Sequence, residues 1–370
     1  MKRVFRLLVI FFIIFFTIGI IDYIISNKNK KIYSMLKDDY NQKYYINELY
    51  NSKEINYRLI LDSKEKELYD FYIKKIMNFE NNFIFDLSEY SYVYDYEYFN
   101  KISKINSAVM MDHPELIYFG YPEMSKQKNS KIVTVKIHYI MNKEEYLKNI
   151  KMIKNQIENI KNETINMDEY SKVKYVYEYI GKKNIYGNPK NPVSQSAYSA
   201  FSDNLSPVCA GYGRASQIIF NNIGVTSMLI SGDLKSTWLT GDSHEWNVVK
   251  IKNQYYIYDV TQSSILKKTT GKISYVGFLT KNKSIYSAQY KKSNPYINGK
   301  EYDYYKMNNL VYSYNRKNLN ELKSLLKNKY TEIRMKNISE FKNDYSDIKR
   351  ELNLKTYYVI DDIIVLEKNN

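Results

Sequence analysis

The stretch Ser206-Pro-Val-Cys-Ala-Gly-Tyr-Gly-Arg-Ala-Ser-Gln-Ile-Ile-Phe-Asn-Asn-Ile-Gly-Val225 decides how the rest of the chain is read. It carries Cys209, the only cysteine among 370 residues. After Cys209 the small and apolar residues recur at helical spacing as far as Ile223, and Gly224 supplies a helix C-terminal stop. Cys209 therefore stands at the N-terminal end of a predicted helix. There the unpaired backbone N–H groups and the positive end of the helix dipole favour a thiolate over a thiol. With no second cysteine in the chain, an internal disulfide is excluded. Cys209 is either a small buried apolar residue or a reactive thiol, and the choice depends on whether a base stands beside it.

A base is found downstream, in His244-Glu-Trp-Asn-Val-Val-Lys-Ile-Lys-Asn-Gln-Tyr-Tyr-Ile-Tyr-Asp-Val-Thr261. Two strand-like runs flank Lys252 and Asn253, and a tight turn there pairs Ile251 with Gln254, Trp246 with Asp259 and His244 with Thr261. In that register His244 and Asp259 are diagonal neighbours on one face, about 7–8 Å apart between backbones. A slip of one residue would send Asp259 to the opposite face. A thiol at a helix start, with a histidine and an aspartate on adjoining strands, is an arrangement suited to nucleophilic catalysis.

Together with Gln195-Ser-Ala-Tyr-Ser-Ala-Phe201, these segments resemble the bacterial transglutaminase-like family, with three motifs in the family's order between Gln195 and Thr261. The fold that the resemblance implies is α+β, papain-like, with the cysteine-bearing helix packed on an antiparallel sheet that carries the histidine and aspartate. It implies Cys209 as nucleophile, His244 as base and Asp259 as the group that orients the imidazole. Glu245 stands where relatives often carry alanine. The segment Asp112-His-Pro-Glu-Leu-Ile-Tyr-Phe119 resembles the region preceding this domain in membrane-anchored relatives from Gram-positive bacteria.

Other residues are assigned around this centre. Gln195 is expected as a second oxyanion donor, and the alternative for it is local bonding beside a helix cap. Trp246 is expected either in the core or as a substrate wall. Tyr212 and Arg214 read as helix surface or packing, His113 as a turn residue and His138 as a solvent-facing residue of a strand. Three scattered histidines and one cysteine have no metal-ligand spacing, so no metal or other cofactor is expected.

The N-terminus, Met1-Lys-Arg-Val-Phe-Arg6, precedes an apolar segment from Leu7 to Ile25 that approaches the roughly 20 residues of a bilayer span. No small-residue cleavage site follows it, which favours an uncleaved transmembrane anchor with the remaining chain outside the cytoplasm. The division expected is an anchor at 1–26, an α+β region at 27–142 that is mostly helical, a transglutaminase-like domain at 143–285 and a C-terminal region at 286–370. Helices are predicted at Tyr33–Leu61, Ser63–Phe79, Asp86–Met110, Lys143–Lys161 and Asp168–Lys183, and around Leu319–Lys327. Strands are predicted at Leu116–Phe119, Lys131–Ile140 and Tyr357–Leu366.

The net charge of +15 comes from basic residues interspersed with acidic ones in a Lys-, Asn-, Ile- and Tyr-rich sequence. With no nucleic-acid-binding signature beside it, the excess charge does not point to nucleic acid. The function expected is a surface-anchored thiol acyltransferase acting on amide bonds of proteins or peptides, including cell-wall peptides. The alternatives are a cysteine protease or amidase of the same fold, and a binding module without catalysis. The polar segment Ser231-Gly-Asp-Leu-Lys-Ser-Thr-Trp-Leu-Thr-Gly-Asp-Ser243 reads as an open loop before His244.

Overall fold

A computed structural model describes residues 56–234, 243–280, 286–288, 297–317, 319–326, 330–360 and 362–369. The Leu7–Ile25 segment and most of the predicted Tyr33–Leu61 helix lie outside these residues, as does the centre of the polar loop before His244. Among the described residues no helix is long and apolar enough to cross a membrane.

The first layer forms from α1 (Ser63–Met77), β1 (Asn82–Asp86), α2 (Asp95–Asp112), β2 (Phe119–Lys126) and β3 (Ile132–Tyr139). Helix α1 starts where Asp62 and Glu65 bond each other's backbone N–H groups, a reciprocal cap that satisfies two of the donors a helix end leaves free. The alternating residues Val133, Val135 and Ile137 of β3 are buried while Thr134 and Lys136 face outward. β3 pairs antiparallel with β1 and β2 on its two sides. β1 lies in the gap between two predicted helices, where no strand was expected, and the strand expected at Leu116–Phe119 begins only at Phe119.

The layer that positions Cys209 follows. α3 (Lys143–Thr164) and α4 (Glu169–Lys183) lead through a loop and the short α5 (Tyr198–Phe201) to α6 (Cys209–Ile223). α6 packs on β5 (His244–Ile251) and β4 (Ser227–Leu234) of an antiparallel sheet completed by β6 (Gln254–Tyr258) and, after α7 (Thr261–Thr270), by β7 (Tyr286–Ala288). The order across the sheet is β6-β5-β4-β7. Ala215, Ile218, Ile219 and Phe220 of α6 are fully buried against it, and Gly224 closes the helix in the left-handed conformation. One apolar core extends from Tyr57 to Ile297 and joins this layer to the first.

Beyond it, α8 (Tyr304–Met307) leads to a second unit. That unit holds β8 (Val311–Ser313), α9 (Asn320–Leu325), β9 (Tyr330–Lys336), α10 (Ile338–Glu351), β10 (Leu354–Ile360) and β11 (Ile363–Lys368). Its sheet runs β10-β11-β9-β8, with β8 and β9 parallel, over a core of its own that includes Leu322, Ile333, Phe341 and Ile364. The single strand expected at Tyr357–Leu366 is a hairpin of two strands, and β9 and α10 were not anticipated.

Candidate active site

The β5–β6 hairpin has the register its two-residue turn requires. Ile251 faces Gln254 and Asn247 faces Tyr258, with Lys252 taking positive φ in the turn. β6 ends at Tyr258, and Asp259 sits one residue past it, held by its own N–H donating to the Gly277 carbonyl at 2.9 Å. From there its carboxylate reaches back to His244, whose Nε2 lies 2.9 Å from Asp259 Oδ2. Both side chains are buried, 3% and 1% exposed, so their attraction is not screened by bulk water.

Asp259 is held from its own side as well. Gln262 Nε2 donates to Oδ2 at 3.2 Å, and the Thr261 N–H donates to Oδ1 at 3.2 Å. These donors fix the carboxylate plane, and the carboxylate in turn fixes the imidazole.

With Nε2 turned to Asp259, Nδ1 is the nitrogen left for Cys209. Burial drives the His244 pKa down, but the Asp259 charge and hydrogen bond, followed by the contacts with Cys209, outweigh it and push the pKa up to about 10. The site thus favours the protonated over the neutral imidazole.

Cys209 opens α6, as predicted, and is half-buried. Val208 before it is extended and offers no capping oxygen, so the N–H groups of the first turn point at the site without a side-chain cap. The helix is located by a hydrogen bond from Val208 N–H to Ser194 O at 3.0 Å and by Asn247 of β5, whose amide donates to Gly213 O at 3.1 Å and to Gln217 at 3.2 Å. Glu245 accepts both Arg214 Nε (3.2 Å) and Arg214 Nη2 (2.9 Å). The departure from alanine at Glu245 thus comes with a partner on the same helix as Cys209, and Arg214 is a clamp between α6 and β5 more than a surface residue.

Trp246 is corrected as a substrate wall. It is 1% exposed, with its ring 6.0 Å from that of His244 and nearly parallel to it, so it backs the imidazole from inside the core. Gln195 ends a short 3-10 helix, Pro192–Gln195, directly beside Ser194, and its amide donates to the Pro189 carbonyl at 3.4 Å. Tyr212 is fully buried. His113 opens the turn after α2, its carbonyl accepting the Leu116 N–H at 3.1 Å, and its ring is buried with Nδ1 2.8 Å from Glu115 Oε1. His138 is on the outer face of β3 and pairs with Glu123 at 2.9 Å.

The sequence reading missed Gln262, Asn247 and Tyr186, the last of which has its pKa pushed up to about 12 by burial and then by the charge of Cys209. Gln262 had a signal in its spacing, since three residues past Asp259 places it on the first turn of α7. Tyr186 had none, because its loop meets the site only through the tertiary fold.

Residues 158–260 match the family model of the transglutaminase-like superfamily. The described chain is thus an α+β protein whose segment 158–260 is similar to the transglutaminase-like superfamily. Among solved structures, it is similar to one described as a TGase, with 17% identity and a TM-score of 0.28 over 60% of this chain and 57% of that one. A candidate cysteine protease from Cytophaga hutchinsonii aligns at 11% identity and a TM-score of 0.27, over 39% of this chain and 62% of that one. The periplasmic domain of TgpA from Pseudomonas aeruginosa aligns at 11% identity and a TM-score of 0.25, over 37% and 55% of the two chains. The chain thus spans 55–62% of the length of these structures. Comparison with curated proteins gives no match.

Proposed function

We propose that the protein is a thiol acyltransferase that opens amide bonds through a thioester on Cys209, with His244 and Asp259 completing the triad. The observation that carries this reading is the buried His244–Asp259 pair, which leaves the other imidazole nitrogen available, together with a thiol at a helix start without a side-chain cap. His244 takes the thiol proton of Cys209. The Cys209 sulfur attacks the amide carbonyl, forming the S–C bond and moving charge to the carbonyl oxygen, which the Cys209 backbone N–H can receive. When the C–N bond breaks, His244 gives its proton to the departing amine. The imidazole, now neutral, takes a proton from an incoming amine or water, which attacks the thioester and releases Cys209.

An amine acceptor gives transamidation and a water acceptor gives hydrolysis, as in a protease or amidase. We favour transfer on the family resemblance, with protein or peptide substrates such as cell-wall peptides, and place the domain outside the cell on a Leu7–Ile25 anchor. The test uses glutamine-containing peptides and a labelled primary amine. Amine incorporation that depends on Cys209 supports transfer. New peptide termini or ammonia without incorporation would convert the reading to a hydrolase, and no Cys209-dependent product across varied peptides would leave a binding module.

A further inference from the structure

A row of buried side-chain amides ties the cysteine helix to both strands that it packs on. Asn247 lies on β5 three residues past His244, and its backbone is paired on both sides, with Leu229 of β4 and with Tyr258 of β6. Its Nδ2 donates to Gly213 O at 3.1 Å and to Gln217 Oε1 at 3.2 Å, both on α6. Gln217 Nε2 in turn donates to Asn221 Oδ1 at 2.8 Å and to Ser227 O of β4 at 3.1 Å. The row has one direction. Gly213 O and Ser227 O can only accept, so each amide must turn its NH2 to a backbone carbonyl, which leaves Gln217 Oε1 to receive Asn247.

Stability does not account for these groups. Asn247, Gln217, Asn221 and Ser227 are all buried, yet Asn247 Oδ1, Asn221 Nδ2 and Ser227 Oγ find no partner among the described residues. Burying a polar atom without a partner costs free energy, and an incompletely satisfied polar cluster is commonly no more stable than apolar side chains of similar volume. What the amides add is direction. Hydrogen bonds to two particular backbone carbonyls are made in one register only, whereas apolar side chains in the same places would tolerate a helix that slides or turns.

Register is what the two reactive groups need. Cys209 is the first residue of α6 and His244 the first of β5, so the seating of the helix on the strand decides where the thiol lies relative to the imidazole. A slip of one residue would move the helix roughly 1.5 Å along its axis and turn it by about 100°. We infer that Asn247 and Gln217 are positioning residues, which fix the register of α6 on β5 and thereby hold Cys209 against His244. Asn247 grips the helix at Gly213, one turn past Cys209. The approach there is close, since a Cβ on Gly213 would lie 2.7 Å from Leu229 Cδ1 and 3.7 Å from Asn247 Oδ1. Neither amide takes part in proton transfer.

This inference rests on the reading of Cys209 and His244 as a catalytic pair, and a double-mutant cycle separates the two. Alkylation of Cys209 by iodoacetamide is followed across a pH series in the full chain, N247L, H244Q and N247L/H244Q, with folding checked by thermal melting. Leucine keeps the approximate volume of asparagine and removes both donors. N247L should melt near the wild type, alkylate on the order of 10-fold more slowly at pH 7, and reach its full rate at a higher pH, as H244Q does. In the H244Q background the same substitution should change the rate by less than about twofold, because no imidazole remains to be misplaced. Gln217→Met breaks the row from the helix side and should repeat the pattern, which keeps the test open if N247L does not fold.

An N247L that alkylates at the wild-type rate and pH would overturn the inference, whatever its melting temperature. So would a slowing of equal size in the H244Q background, since the effect would then not pass through the imidazole. H244Q with the wild-type profile would instead overturn the catalytic pair itself.

Discussion

The residue that organises the site is His244, and its protonation ties catalysis to stability. Its pKa rises from the ordinary 6.5 to about 10 in the folded protein, so folding strengthens its hold on a proton. The stabilisation that follows is fully present below the unfolded value and is lost as pH rises through the folded one, between about 6.5 and 10. The melting temperature of the wild type should therefore decline over that window more steeply than that of H244Q; parallel curves would show that the pair carries no such linkage. Acylation should fall on the same alkaline limb, because a neutral His244 has no proton for the departing amine.

Asp259→Asn should leave the fold intact and lower turnover on the order of 10²–10⁴-fold, since the amide can no longer hold the imidazolium in its orientation. Circular dichroism checks the first part and single-turnover kinetics the second. Loss of folding would identify a structural carboxylate. Glu245→Ala strips Arg214 of a bidentate partner where both side chains are mostly shielded from water, 14% and 13% exposed. It should cost about 2 kcal/mol in denaturant unfolding, whereas a value near zero would mean the clamp is only decorative.

At the scale of elements, the cysteine helix and the hairpin were legible because each contains its own punctuation. Gly224 stops α6, and the Lys252–Asn253 turn fixes the hairpin register, which in turn fixes the face on which His244 meets Asp259. Much of the rest was blurred by tyrosine. Tyr69, Tyr72 and Tyr177 are fully buried core residues, while Tyr94 and Tyr96 are exposed, so the same letter marks inside and outside and the hydrophobic period loses contrast. That is why β1, β9 and α10 were not seen, and why β10 and β11 were merged.

One prediction concerns the glycines of α6. A Cβ at Gly211 would lie 2.6 Å from Ser194 O and 2.8 Å from Pro207 Cβ, on segments that position Cys209. At Gly213 the nearest atom is Leu229 Cδ1 at 2.7 Å, the movable end of a side chain. Gly211→Ala should destabilise by about 1–3 kcal/mol and slow Cys209 alkylation, and Gly213→Ala should do less of both. Equal effects would contradict this account of how α6 is seated.

For the whole molecule, the C-terminal unit has its own core and meets the main one through an apolar cluster of Val276, Tyr305 and Ile363 and through polar contacts. Glu332 of β9 is one of these, accepting the Tyr275 N–H at 2.9 Å and the Tyr305 hydroxyl. Glu332→Ala should leave the Cys209 site reactive while raising protease sensitivity of the segment around residues 300–310; loss of alkylation in this variant would mean that the second unit supports the site directly. The proposed anchor predicts that the full chain sediments with membranes and resists salt extraction, whereas a chain begun near Asn27 does not. Release of the full chain by salt alone would refute it.

The central claim, that Cys209 and His244 form a working pair, is tested most directly by the alkylation rate of Cys209 at pH 7. The folded wild type should react faster than the same thiol in the denatured chain, and H244Q should lose that advantage. Equal rates in the wild type and H244Q would show an inert thiol and contradict the account.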